Sequence, residues 1–150
     1  MRELSFTINC NPPKHTAQGG KRILKTKDGR FFIGKKSDSK AQQTENELLM
    51  MLYPYRPEKP LEGALKLKIK WVYPFRKSEP KKNRQGELLC CTRPDIDNLC
   101  KLLFDIMTRL GFWLDDSQIA DLQFTKCWSD NPRIEILIKD KINEYGHGNK

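Results

Sequence analysis

The chain has 150 residues, enough for one domain with a core of its own and too few for two ordinary ones. Charged residues make up 31% and hydrophobic residues 37%, and no apolar run nears the roughly 20 residues of a membrane helix. The formal net charge of +9 says nothing about fold, but it points to polyanionic partners, nucleic acid first among them.

The opening Met1-Arg2-Glu3-Leu4-Ser5-Phe6 has no signal-peptide apolar stretch, so the expected location is the cytoplasm. Five cysteines stand at 10, 90, 91, 100 and 127. Their count is odd, no C-x-x-C pair occurs, and histidines are few, which argues against zinc and for free, reduced thiols.

Leu4, Phe6 and Ile8 alternate with polar residues, the period of a half-buried first strand that Asn11-Pro12-Pro13 ends. Residues 14–30 form a basic loop or loose hairpin arm, and Phe31-Phe32-Ile33 a short strand. A helix is predicted over 37–52, capped by Asp38 or Ser39, with Ala41, Thr44, Leu48 and Leu52 on one face. The clearest strand follows: Leu65, Leu67, Ile69, Trp71 and Tyr73 alternate with Lys66, Lys68, Lys70 and Val72.

Residues 74–87 make a second basic loop, expected to be mobile, with Arg76, Lys77, Lys81, Lys82 and Arg84. Leu88 to Cys91 extends as a strand. Leu99, Leu102, Leu103, Ile106, Met107 and Leu110 then give a wide helical stripe that Gly111 ends. After a loop over 112–117, Ala120, Leu122, Phe124 and Lys126 fall on one face of a strand. Ser129-Asp130-Asn131-Pro132 reads as a turn into a last strand around Ile134, Ile136 and Ile138, so these two strands are expected to form a hairpin. The tail 144–150 is polar and expected to fray. The sum is one small mixed α/β (α+β) domain over 1–150, with four to five strands in a mixed sheet and two main helices.

Against this basic background, acidic residues flank the second helix. Asp95 and Asp97 sit at its start, Asp115 and Asp116 in the loop beyond it. One aspartate at a helix N-terminus is an ordinary cap. Two cannot cap the same helix, and holding two carboxylates together costs Coulomb energy unless a cation lies between them. Carboxylate oxygens suit Mg²⁺, or Mn²⁺ in its place, better than zinc. Lys101 lies one turn from both Asp97 and Asp105, as a salt-bridge ladder or as a cation beside a bound phosphate.

The string Arg93-Pro94-Asp95-Ile96-Asp97-Asn98-Leu99-Cys100-Lys101, then Phe104-Asp105, then Gly111-Phe112-Trp113-Leu114-Asp115-Asp116-Ser117-Gln118-Ile119, resembles the RusA family of Holliday-junction resolvases. The match is dense over 93–128 and looser elsewhere. The resemblance implies a RusA-like fold, a homodimer, Mg²⁺ dependence and cleavage of branched DNA. It also implies an active site of Asp95, Asp97, Lys101 and Asp116, with the role of Asp115 left open. The chain departs from the family in its length and its extra basic loop residues.

The expected activity is therefore Mg²⁺-dependent hydrolysis of phosphodiesters in four-way junctions, in recombination and repair. Lys66, Lys68, Lys70, Arg76, Lys77, Lys81, Lys82, Arg84 and Arg93 would contact DNA. Phe75, Trp113 and Trp128 are candidates for stacking on bases exposed at the branch, although Trp128 also suits the core. Two other readings compete: a non-catalytic DNA-binding accessory protein whose acidic pairs are only a cap and a turn, and a nuclease for flaps, forks or RNA. A membrane-surface role lacks a basic amphipathic helix.

Overall fold

The computed structural model describes residues 2–14, 21–35 and 39–140, with backbone alone for 21–24, 31–35 and 39. In chain order the elements are β1 (Glu3–Asn9), β2 (Lys21–Lys25), β3 (Phe31–Lys35), α1 (Ser39–Leu52), β4 (Leu65–Pro74), β5 (Leu88–Leu89), α2 (Ile96–Arg109), β6 (Ile119–Ser129) and β7 (Arg133–Asp140). Short 3₁₀ turns lie at Tyr53–Tyr55, Lys81–Asn83 and Asp116–Gln118. The architecture is α+β: a five-stranded mixed sheet ordered β1-β7-β4-β6-β5 carries two helices, and β2 and β3 form a separate antiparallel hairpin. The expected cap Asp38 and the tail 144–150 lie outside the described residues.

Strand β4 is the spine. Leu65, Leu67, Ile69, Trp71 and Tyr73 enter the core with Leu48 and Leu52 of α1 and Leu99, Leu103, Ile106 and Met107 of α2. Alternation then puts Lys66, Lys68 and Lys70 on the opposite sheet face, away from both helices.

The expected β6–β7 hairpin does not form. β4 lies between them, parallel to β6 and antiparallel to β7, while β7 pairs on its other side with β1. Neighbours in sequence usually pair. Here β4 takes the central place, alternating buried and more exposed residues up to Lys70, with burial on both faces only at its end, where Trp71, Val72 and Tyr73 are buried in succession.

The crossover from β4 to β6 places the second helix. Residues 75–95 contain the basic loop and β5, which pairs antiparallel with the end of β6 at Leu88↔Trp128 and Leu89↔Cys127. The loop is not loose. Arg84 donates to the carbonyls of Glu79 (3.0 Å), Arg76 (3.2 Å) and Lys77 (3.2 Å), and Arg76 donates to the Glu79 carboxylate at 3.0 Å.

Lys126, on β6, fixes the turn into α2. It is only 8% exposed, and its Nζ donates to the carbonyl oxygens of Thr92 and, at 2.7 Å, Pro94. The Cys90 N–H donates back to the Lys126 carbonyl at 2.9 Å. A buried ammonium persists only when its donors are used; here they hold the backbone just ahead of Asp95. At the other end Gly111 (φ 81°) ends the helix, the Phe112 N–H donates to the Met107 carbonyl at 3.0 Å, and the Trp113 indole donates to Thr108 Oγ1 at 2.7 Å.

Two consequences can be measured. Leu103→Ala removes a fully buried side chain at the α2–sheet contact and should cost about 2–5 kcal/mol, read as a lower urea midpoint at unchanged slope. Lys126→Met should orphan two carbonyls at a cost of about 1–3 kcal/mol and speed amide exchange across 92–97; exchange there as slow as in the parent chain would show that the clamp does not hold that turn.

Candidate active site

Asp95 occupies the N-cap position of α2 with extended backbone (φ −70°, ψ 151°), yet its carboxylate accepts no capping hydrogen bond. Asp97 lies in the first helical turn, and both aspartates are exposed. Capping therefore does not account for the Asp95 carboxylate. The ladder through Lys101 does not form either: Asp105 pairs with Arg109 at 3.4 Å. Among the described residues Lys101 has no ion-pair partner. Its exposed ammonium stays on the helix face of Asp97, one turn along.

The second acidic pair divides its labour. Asp115 caps the 3₁₀ turn: its Oδ1 accepts from the Ser117 N–H at 2.8 Å, and Gln118 Oε1 accepts from the Asp115 N–H at 3.1 Å, a complete capping box. The Ser117 backbone N–H accordingly holds the Asp115 carboxyl below its ordinary range. Gln118 Nε2 donates to the carbonyls of Leu61 (3.0 Å) and Gly63 (3.1 Å), which anchors the loop. Asp116, next along, is exposed and has no cation partner among the described residues.

The two pairs stand at opposite ends of α2. Fourteen helical residues span about 21 Å. The sheet gives the same length, since Lys126 lies under the helix start and Ile119 follows the Asp116 turn, seven strand residues or about 23 Å apart. Within one chain the structure thus brings Asp95, Asp97 and Lys101 together and leaves Asp116 at the far end. Among the described residues no group of three histidine, cysteine, aspartate or glutamate side chains gathers to hold a metal.

The donor chemistry still fits a hard divalent cation, which takes one or two carboxylates and completes its shell with waters and phosphate oxygens. Asp95 and Asp97 supply that minimum. Cys100, half-buried one turn along, has its thiol pushed up to about 11 by burial and then by the charge of Asp97, and its soft sulfur suits a hard cation less well than the carboxylate oxygens do.

The predicted DNA contacts fall into unequal groups. On the face away from α2, Lys66 pairs with Asp121 at 3.6 Å and Lys70 with Glu87 at 2.8 Å. Glu87 also pairs with Arg133 at 2.8 Å, and these two cations hold its carboxyl below the usual range. Lys68 has no ion pair among the described residues. On the crossover loop, Lys77, Lys81 and Lys82 are exposed, Arg93 is exposed beside Asp95, and Arg84 is turned onto the loop's own carbonyls. Trp113 is 1% exposed and bonded to Thr108, and Trp128 is 6% exposed, so neither offers a bare stacking face; Phe75 is half-buried.

Two contributors escaped the sequence reading. Lys126 continues the row of Ala120, Leu122 and Phe124 on one strand face, but Ala120 and Leu122 are exposed, and burial begins only at the end of the strand, from Lys126 to Ser129. Asp115 and Gln118 carry the D-x-x-Q spacing of a capping box, which separates the structural aspartate from the free one.

The chain matches the family described as "Endodeoxyribonuclease RusA" over residues 12–139. It is 32% identical to the crossover junction endodeoxyribonuclease rusA of Lactococcus phage r1t, over 92% of this chain and 97% of that protein. Against the uncharacterized protein YqaN of Bacillus subtilis (strain 168) the identity is 28%, over 91% of this chain and 96% of the relative. A third relative, the crossover junction endodeoxyribonuclease RusA of Escherichia coli (strain K12), is 43% identical over a shorter stretch, 35% of this chain and 44% of its own. With the family match running through most of the chain and a full-length relative above 30% identity, the chain belongs to the RusA endodeoxyribonuclease family.

Proposed function

We propose that this nuclease hydrolyses phosphodiesters at four-way DNA junctions as a twofold dimer. Each site would draw Asp95, Asp97 and Lys101 from one subunit and Asp116 from the other. The observation that carries the reading is the pair of uncompensated acidic ends on one rigid helix. Two such helices packed antiparallel about a twofold axis set each start beside the other's end, and an isologous contact makes both junctions alike. Exposed apolar side chains stand at the same two places, Ile96 (40% exposed) between the first two aspartates and Leu114 (73%) just ahead of the second pair. A self-complementary interface would cover them.

Asp95, Asp97 and Asp116 would hold Mg²⁺, with Mn²⁺ as a substitute. When bound, the cation supplies positive charge to the phosphate oxygens and acidifies the attacking water. Lys101 would donate to a phosphate oxygen and offset the charge that grows as the P–O bond breaks. Asp115 would keep its structural place. Lys77, Lys81, Lys82 and Arg93 would follow the backbone on the α2 side, so binding weakens with salt. A junction needs incisions on two strands, and a dimer supplies two symmetric sites. The accessory-protein reading required Asp95 to be a cap, and its carboxylate accepts no capping bond.

Two experiments decide this. Asp97→Asn and Asp116→Asn should each bind a labelled four-way junction nearly as the parent does and cut it about 10²-fold or more slowly in Mg²⁺, the loss expected when several kcal/mol of transition-state charge stabilisation go; ready cutting by either variant would remove that residue from the site. Mixing the two inactive variants and allowing subunit exchange should restore nicking to about one quarter of the parent rate, because half the dimers are mixed and each of those holds one intact site. Silence in the mixture, with exchange verified, would place each site within a single subunit.

A further inference from the structure

The geometry points to a binding site for one nucleobase, swung out of its stack next to the scissile phosphate, in the cleft beside the start of α2. This rests on the nuclease reading above and assigns a contact which that reading lacks. The cleft holds about 570 Å³, within the roughly 300–1,000 Å³ common for small-ligand sites. Thr92 and Arg93 line it, and Arg93 stands two residues before Asp95. A nucleotide held there adjoins the carboxylates.

The lining is mixed in a telling way. Lys14, Lys77 and Arg93 bring positive charge, Phe75 brings half-buried aromatic surface, and the buried Trp128 backs Arg76. A site for phosphate alone needs no aromatic wall, whereas a base offers a π face to stack as well as a charged backbone on either side.

Arg76 is the platform. Its guanidinium carbon sits 4.3 Å from the centre of the Trp128 ring. Its Nη2 donates to Glu79 at 3.0 Å, and Arg84 Nη2 donates to its carbonyl at 3.2 Å, so side chain and backbone are both held. Even so, 48% of the side chain is exposed. A planar cation fixed over an indole, with its outer side open, stacks a base as an aromatic ring would. The Glu79 carboxylate offsets its charge, which makes Arg76 a poorer phosphate contact than Lys77 beside it, which has no ion pair among the described residues. At a branch point the stack is already interrupted, so swinging a base out costs less there than within a duplex.

The test is a cycle of enzyme residue against base. Junctions carrying one abasic nucleotide at successive positions around the cut are incised by the parent chain, Arg76→Ala and Arg76→Lys. At one position, loss of the base should slow the parent about tenfold. Arg76→Ala should slow cutting of the normal junction by a similar factor, and variant plus abasic site should be no slower than either alone. Arg76→Lys keeps the charge without the plane and should behave as Arg76→Ala. Effects that multiply, or rescue by lysine, would make Arg76 a backbone contact and overturn the proposal. Binding is read separately with 2-aminopurine at that position and an Asp97→Asn chain: fluorescence should rise on binding, and the added Arg76→Ala should abolish the rise. Absence of cutting by the parent on any junction counts against the nuclease reading alone; 2-aminopurine that stays dark at every position counts against the cleft alone.

Discussion

The site depends on a spacing that one helix enforces. Leu99, Leu103, Ile106 and Met107 bury one stripe of α2 against β4 and α1, and the stripe leaves no freedom to slide or tilt without opening the core. The Lys126 clamp fixes the start of the helix, and Gly111 with the Trp113–Thr108 bond fixes its end. The acidic ends are therefore held about 21 Å apart, the length of a 14-residue helix. No side-chain rotation closes such a gap. In the proposed site, the two acidic ends would meet only through a second copy of the helix.

Charge is arranged with the same economy. Around the α2 start, among the described residues, Asp95 and Asp97 have no cation partner and Lys101 has no anion partner. On the far face of the sheet, Lys66 and Lys70 have partners already. A phosphodiester approaching a +9 protein meets unpaired cations on the side where the unpaired carboxylates are. Exposed ion pairs are each worth little in stability; their distribution here bears on where a polyanion docks.

Much of this was legible in the sequence, for a physical reason. The period-two rows of β1, β4 and β7 and the stripe of α2 are local patterns, and local patterns survive in a list of residues. The candidate site residues stood out as a motif, since aspartates flanking one helix are conspicuous in a basic chain. What the sequence hid was non-local. Nothing in Ser129 to Arg133 says that the chain steps over β4 instead of turning back on β6. Arg84 looked like a DNA contact until its guanidinium was seen on three carbonyls of its own loop. Asp115 and Asp116 are the same residue type side by side, and the hydrogen bonds show that the D-x-x-Q spacing marks Asp115 as the cap.

Strand β7 lies between β1 and β4, although it is made after both. The two earlier strands cannot meet across the gap, so the growing chain carries an unfinished sheet until its last strand slides into the slot. Contacts this distant along the chain are slow to form. In a cutter of DNA built this way, the two earlier strands join one continuous frame only through β7.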